Sequence, residues 1–352
     1  MTAGSAAPAA GVCFACGEPV GATDSFCESC GAELAPLSVS DGRDGGPPAC
    51  ESCSSSRISA DGYCESCGRR VRSGRDHQEV DLGIVAGVTD RGLRHHRNED
   101  AMALATADTA AGPAVVTVVC DGVSTSARPD EASLAAARAA ARVLLAAVRT
   151  GDDLLAASPA AVRAAAKAVA GLGGTRGPAG QPGDSPAATF VSAVLTGEAA
   201  VVCWLGDSRA YWLAPVSGSG ENGAQQLTRD DSIAEEMAAA GLLSEADALA
   251  SPQGHVVTRW IGVDLSDPEP HVVRFEPAGP GVLLLCSDGL WNYQPEAAKL
   301  AELALPAALT DPLGAARTLV KFALDAGGSD NITAVLAPYP PAGPARPDAE
   351  EN

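Results

Sequence analysis

Aromatic side chains are scarce in this sequence: Phe, Tyr and Trp make up 4% of 352 residues, so its helices are expected to be alanine-rich and thinly decorated. Basic residues are short as well. Twenty-four Lys and Arg face 44 Asp and Glu, a formal net charge of -20, which excludes the clustered basic footprint that a nucleic-acid backbone requires. The same excess is compatible with collecting divalent cations. Long apolar runs are missing too, since stretches such as 115–120 and 282–286 are of strand length and too short to cross a bilayer. Residues 1–10 carry no basic segment followed by an apolar one, so no signal peptide is read there. Together these absences predict a soluble, cytoplasmic protein with no nucleic-acid or membrane partner.

Cysteine, in contrast, is abundant and unevenly placed. Eight of eleven fall before residue 68, as Cys13, Cys16, Cys27 and Cys30, then Cys50, Cys53, Cys64 and Cys67. Each quartet is two CxxC pairs ten residues apart, and Phe26-Cys27-Glu28-Ser29-Cys30-Gly31 returns as Tyr63-Cys64-Glu65-Ser66-Cys67-Gly68, the mark of an internal duplication. Paired CxxC turns offer four soft ligands to one tetrahedral ion, so each quartet is expected to hold a structural Zn(II). Redox pairs or disulfides are the competing reading, disfavoured by a reducing compartment. The expected organisation is a zinc ribbon over 11–35, a linker over 36–48, a second ribbon over 49–70 and a linker over 71–79. The sequence does not name the protein partner of these ribbons. Cys120, Cys203 and Cys286 sit in apolar runs and read as small buried hydrophobes.

Beyond residue 80, apolar runs of strand length alternate with turn signals, and two long alanine-rich helices are predicted near 130–149 and 153–172. The fold class expected for 80–338 is α+β, an α-β-β-α sandwich of two antiparallel sheets flanked by helices, with residues 339–352 a disordered acidic tail. Several of these runs end on a carboxylate: Asp121-Gly122, Gly206-Asp207-Ser208-Arg209 and Ser287-Asp288-Gly289. A carboxylate fixed at a strand end is a rigid ligand for a hard cation, and a following glycine lets its carbonyl approach the ion.

In chain order the sequence shows Thr89-Asp90-Arg91-Gly92, Asn98-Glu99-Asp100-Ala101, Asp121-Gly122-Val123, Ala188-Thr189-Phe190, Gly206-Asp207-Ser208-Arg209-Ala210, Leu227-Thr228-Arg229-Asp230, Ser287-Asp288-Gly289-Leu290-Trp291 and Ser329-Asp330-Asn331-Ile332-Thr333. Over about 82–338 this resembles the metal-dependent protein phosphatase family, PPM or type 2C. The resemblance implies two Mn(II) or Mg(II) ions bridged by Asp121, with the Gly122 carbonyl, Asp288 and Asp330 as further ligands and Glu99 and Asp100 holding metal-bound waters. It implies a possible third, weaker ion on Asp184 and Asp288. The implied reaction is attack of a metal-bridging hydroxide on phosphoserine or phosphothreonine in proteins, opposing bacterial-type kinases. Asp207 and Arg209 read as structural, an ion pair or turn.

Three departures from the family pattern stand out. Where it places a phosphate-gripping arginine, four residues before Glu99, this chain has His95, within Arg94-His95-His96-Arg97; Arg94 and Arg97 are the candidates to swing into that role. Val123-Ser124-Thr125 replaces the glycine pair or His-Gly that follows Asp121-Gly122, so the proton for the leaving oxygen falls to His95, His96 or a metal-bound water. Asp230-Asp231-Ser232 stands for Asp-His-Ser at the start of a flap, about 229–262. The missing arginine keeps alive a second reading, a non-catalytic adaptor recruiting partners through its ribbons.

Overall fold

The computed structural model describes residues 9–12, 18–21, 27–29, 37–39, 50, 52–59, 63–69, 74–173, 185–215, 223–251, 253–262 and 268–341. The chain divides into two compact units, Met1–Leu37 and Ser38–Asn352. In the first, β1 (Ala9–Val12) and β2 (Pro19–Gly21) pair antiparallel. Cys13, Cys16 and Cys30 of the first predicted ribbon lie outside the described residues, as do Asp184 and most of the predicted tail.

The strands that follow are β3 (Leu37–Val39), β4 (His77–Asp81), β5 (Ala86–Asp90), β6 (Asp100–Thr109) and β7 (Gly112–Asp121). Helices α1 (Pro129–Thr150) and α2 (Leu154–Gly171) precede β8 (Ala187–Ala188), β9 (Phe190–Leu195), β10 (Ala200–Leu205), β11 (Arg209–Leu213) and β12 (Gln225–Gln226). The flap carries α3 (Ile233–Ala239) and α4 (Glu245–Leu249) and ends on β13 (Ile261–Gly262). Then come β14 (His271–Phe275), β15 (Gly281–Cys286), α5 (Asp288–Trp291), α6 (Ala297–Ala308), α7 (Pro312–Asp325) and β16 (Ile332–Tyr339).

Two six-stranded sheets result, in the orders β14-β10-β9-β7-β6-β3 and β12-β11-β15-β16-β5-β4, and the registers described are antiparallel throughout. Strand β15 shows how they stack. Leu283 and Leu285 enter a core with Met102, Leu104, Val119 and Trp204 of the facing sheet, whereas Val282, Leu284 and Cys286 turn to a core closed by Leu300, Leu319 and Val320 of α6 and α7. Alternate side chains of one strand thus feed two layers, which is why the run is apolar at every position. On the opposite side α1 lies on β6 and β7, and its buried Ala132, Ala136, Ala137, Ala140 and Ala141 let the helix approach closely. This is the α-β-β-α layering expected from the sequence.

The sheet begins earlier than residue 80. β4 lies in the stretch read as a linker and pairs along its length with β5, because His77, Glu79 and Asp81 face outward at an edge and leave no hydrophobic signal. Among the described residues no helix is long and apolar enough to cross a membrane.

Candidate metal centre

The centre forms where strands of both sheets end. Asp100 opens β6 and Asp121 closes β7, and the two residues are cross-strand partners. Asp288 follows β15 at the start of α5, and Asp330 precedes β16. Asp121 reaches the carboxyls of both Asp100 and Asp288. The predicted ligands Asp121, Asp288 and Asp330 and the predicted water-holders Glu99 and Asp100 are therefore neighbours, although they come from four segments of the chain.

Local packing sets their directions. Gly122 Cα has no room for a side chain: a Cβ would meet the Pro129 carbonyl oxygen at 2.4 Å and that of Glu99 at 2.8 Å. Its amide donates to the Glu99 carbonyl, while the bridge to Ala188 uses the Asp121 carbonyl and the Val123 amide, so this pairing does not occupy the Gly122 carbonyl. Asp100 Oδ2 accepts from Ser287 Oγ at 2.7 Å and Thr333 Oγ1 at 2.6 Å. Glu99 is held by Arg97 Nε at 2.9 Å and Ser124 Oγ at 2.7 Å. Asn331 ties the pieces together: its Oδ1 accepts from the Glu99 amide, and its Nδ2 donates to the carbonyls of Arg91 and Arg97, fixing both ends of the loop between them. Ser124, Ser287, Asn331 and Thr333 were assigned no role from sequence. Their one signal was a polar side chain beside or within an otherwise apolar strand end.

Electrostatics at the centre are strained. Asp100 Oδ1 and Asp288 Oδ1 are buried and have no hydrogen-bond partner. Burial pushes the Asp121 and Asp288 carboxyls well above the usual carboxylate range, and the neighbouring carboxylates push in the same direction. Burial likewise raises Asp100 to about 6 against the hydroxyl donors of Thr333 and Ser287. Like charges crowded away from water call for a cation, and two oxygens left without protein donors are free to ligate one. Hard divalent ions therefore fit this donor set, which gathers the oxygens of Asp100, Asp121, Asp288 and Asp330 in one place.

Asp207 lies in a bend, as the turn reading allowed, and the ion pair of Arg209 is made with another residue. Arg209 pairs with Asp230, through Nη2 to Oδ2 at 2.7 Å and Nε to Oδ1 at 2.9 Å, and lies 3.7 Å over the Trp291 ring. Asp207 itself is buried and, raised to about 7 chiefly by burial, feels Asp230 and Asp330 and adds to the repulsion on Asp121 and Asp288. It belongs electrostatically with the centre.

The basic loop is divided. Arg97 is engaged by Glu99 and by Asp130 at 3.5 Å. His95 Nε2 lies 3.1 Å from Asp330 Oδ1. Arg94 and His96 are exposed, and among the described residues Arg94 has no ion-pair partner. Arg91, not singled out earlier, pairs with buried Asp76 and donates to the His95 carbonyl.

A sequence profile described as Protein phosphatase 2C matches residues 91–310. The serine/threonine protein phosphatase PstP of Mycobacterium tuberculosis is 30% identical over 259 residues, 72% of this chain and 44% of that protein. Indeed the chain spans about half the length of the curated relatives it matches. Among solved structures, the PPM Ser-Thr phosphatase MsPP of Mycobacterium smegmatis superposes with a TM-score of 0.56 at 28% identity, covering 72% of this chain and 96% of that one. The catalytic domain of PstP in complex with two manganese ions superposes at 0.52 and 25% identity, over 72% and 96%. The profile over the sandwich, the common architecture and the carboxylates gathered at the sheet ends make one conclusion: the chain belongs to the protein phosphatase 2C family.

Proposed function

We propose that the chain hydrolyses phosphoserine and phosphothreonine in proteins with Mn(II) or Mg(II), opposing bacterial-type Ser/Thr kinases. The observation that carries this is the pair of buried, partnerless oxygens on Asp100 and Asp288 within a crowd of carboxylates. When bound, the cations supply Lewis acidity and an activated water. The protein's own part is to hold that site open and rigid. Ser287 and Thr333 aim Asp100, Asn331 fixes the loop that carries His95, and Glu99 is oriented by Ser124 and Arg97 to accept from a water.

For the substrate phosphate, the loop offers two groups at the mouth, Arg94 and His95. Arg97 is already committed to two carboxylates, so Arg94 takes the gripping role and His95, against Asp330, borders the phosphate. Any third, weaker ion resting on Asp184 belongs to this proposal as well.

The test is Mn(II)-dependent release of phosphate from a phosphothreonine peptide. Wild type should turn over and Asp121→Asn should not. Arg94→Ala should raise KM by about 10–100-fold, the worth of one charge-assisted hydrogen bond, with a smaller change for Arg97→Ala. Tight Mn(II) binding without turnover in the wild type would reject the enzyme and leave the adaptor.

A further inference from the structure

The second cysteine quartet lies outside the phosphatase chemistry and is built too small to hold itself together. Among the described residues of 50–69 the only buried apolar cluster is Cys50 and Cys64 with Ile58 packed against them. Segments well under about 40 residues rarely fold on hydrophobic burial and need a disulfide or a metal. All four cysteines carry free thiols. Their sulfurs nevertheless converge: Cys50 Sγ lies 3.5 Å from Cys67 Sγ, Cys53 Sγ lies 3.4 Å from Cys64 Sγ, and all four lie within 4.8 Å of one another. Zinc–sulfur bonds of about 2.3 Å in a tetrahedron place sulfurs roughly 3.8 Å apart, close to what is seen.

The backbone around the sulfurs repeats the same device twice. Ser54 N donates to the Cys50 carbonyl at 2.7 Å and Gly68 N to the Cys64 carbonyl at 2.8 Å, so each CxxC closes into the same tight turn. The residue after each pair is left-handed, Gly68 at φ 70° and Ser54 at φ 57°. Glycine follows the other three pairs of the sequence, as Gly17, Gly31 and Gly68, and Ser54 adopts the glycine conformation despite its side chain. The turns aim amides at sulfur: Ser52 and Cys53 at Cys50, Ser66 and Cys67 at Cys64, Ser55 at Cys53, and Arg69 at Cys67. Amides directed at sulfur from both turns are the outer partners that orient metal-binding cysteines.

We infer that Cys50, Cys53, Cys64 and Cys67 hold one structural zinc ion as a closed tetrathiolate site, independent of the carboxylate centre. Four protein ligands complete the tetrahedron and leave no position for a substrate or a reactive water. Zinc is thus the core of this module.

The experiment is zinc and iron content of the full chain, purified under reducing conditions and dialysed against EDTA, for wild type, Cys53→Ser/Cys67→Ser and Asp121→Asn. The inference expects the double variant to hold one equivalent of zinc less per chain than wild type, and Asp121→Asn to keep the wild-type amount while losing turnover. Equal zinc in wild type and double variant, or iron in its place, overturns it. Because the double variant could fail to fold, a Cys13→Ser/Cys27→Ser chain, in which the other quartet is removed, is also loaded with Co(II). Intense thiolate-to-cobalt charge transfer with tetrahedral d–d bands supports the site, and bands of octahedral cobalt alone reject it. Neither readout depends on phosphatase activity, so this inference and the proposed function can fail separately.

Discussion

Asp100 concentrates the chemistry of the centre in one side chain, with two hydroxyls on one oxygen and nothing on the other. The hydroxyls of Ser287 and Thr333 point the empty oxygen and keep the carboxyl ionisable. Their removal should therefore weaken cation binding although neither touches the ion. Ser287→Ala with Thr333→Val is expected to lower Mn(II) affinity by about 10–100-fold, as for other outer partners of metal ligands, read by titration calorimetry. Unchanged affinity would show that Asp100 is aimed by its backbone alone. The carboxylates at this scale were legible because a strand run ending in Asp-Gly is a sequence feature. Their partners were less so, since a serine or threonine at a strand end gives no sign of which carboxyl it will meet across 187 or 233 residues. Asp207 and Arg209 read as an ion pair or a turn; Asp207 lies in a bend, and the partner that Arg209 takes, Asp230, stands 21 residues away, where no local signal points to it.

The flap shows how element-scale structure departs from local signals. Its root is held on two consecutive residues. Asp230 neutralises buried Arg209, and Asp231 binds the Gly206 amide at 2.9 Å, His271 Nε2 at 2.9 Å and Arg259 at 3.3 Å. Asp231 stands where the family reads histidine, so this chain fastens its flap with a carboxylate that accepts from the Gly206 amide and Arg259 and lies against His271. Removing Asp230 would strand the Arg209 guanidinium against Trp291 and Tyr211 without a counter-charge. Asp230→Ala is expected to cost about 3–5 kcal/mol, seen as a lower midpoint in urea unfolding, because an uncompensated buried charge remains. A loss below about 1 kcal/mol would mean that water reaches Arg209. The long elements, α1, α2, β7, β15 and β16, were visible in the sequence through their unbroken apolar or alanine patterns. The short ones were not: α5 is a single turn of four residues, and β12 and β13, two residues each, exist only because β11 and β8 supply their hydrogen bonds.

At the scale of the whole molecule, crowded carboxylates and a net charge of -20 act in the same direction. Asp100 and Asp207, raised in the folded protein from 3.8 to about 6 and about 7, bind protons that the unfolded chain has already released. Their contribution to stability is therefore complete below about pH 4 and is lost as pH rises through 6 to 7, the reverse of a carboxylate held in an ion pair. Asp121 and Asp288, also raised by burial and by their carboxylate neighbours, act in the same direction. A divalent cation replaces those protons, and it binds best where they are absent. Stripped with EDTA, the chain should melt at a lower temperature at pH 8 than at pH 5. Mn(II) should raise the midpoint at pH 8 by several degrees more than at pH 5, measured by scanning calorimetry in the two buffers with and without the ion. A melting temperature that ignores pH in EDTA would mean that the acidic centre relaxes or hydrates when empty. An equal manganese shift at both values would place the ion elsewhere than on these carboxylates, since their raised protonation couples its binding to proton release across this range.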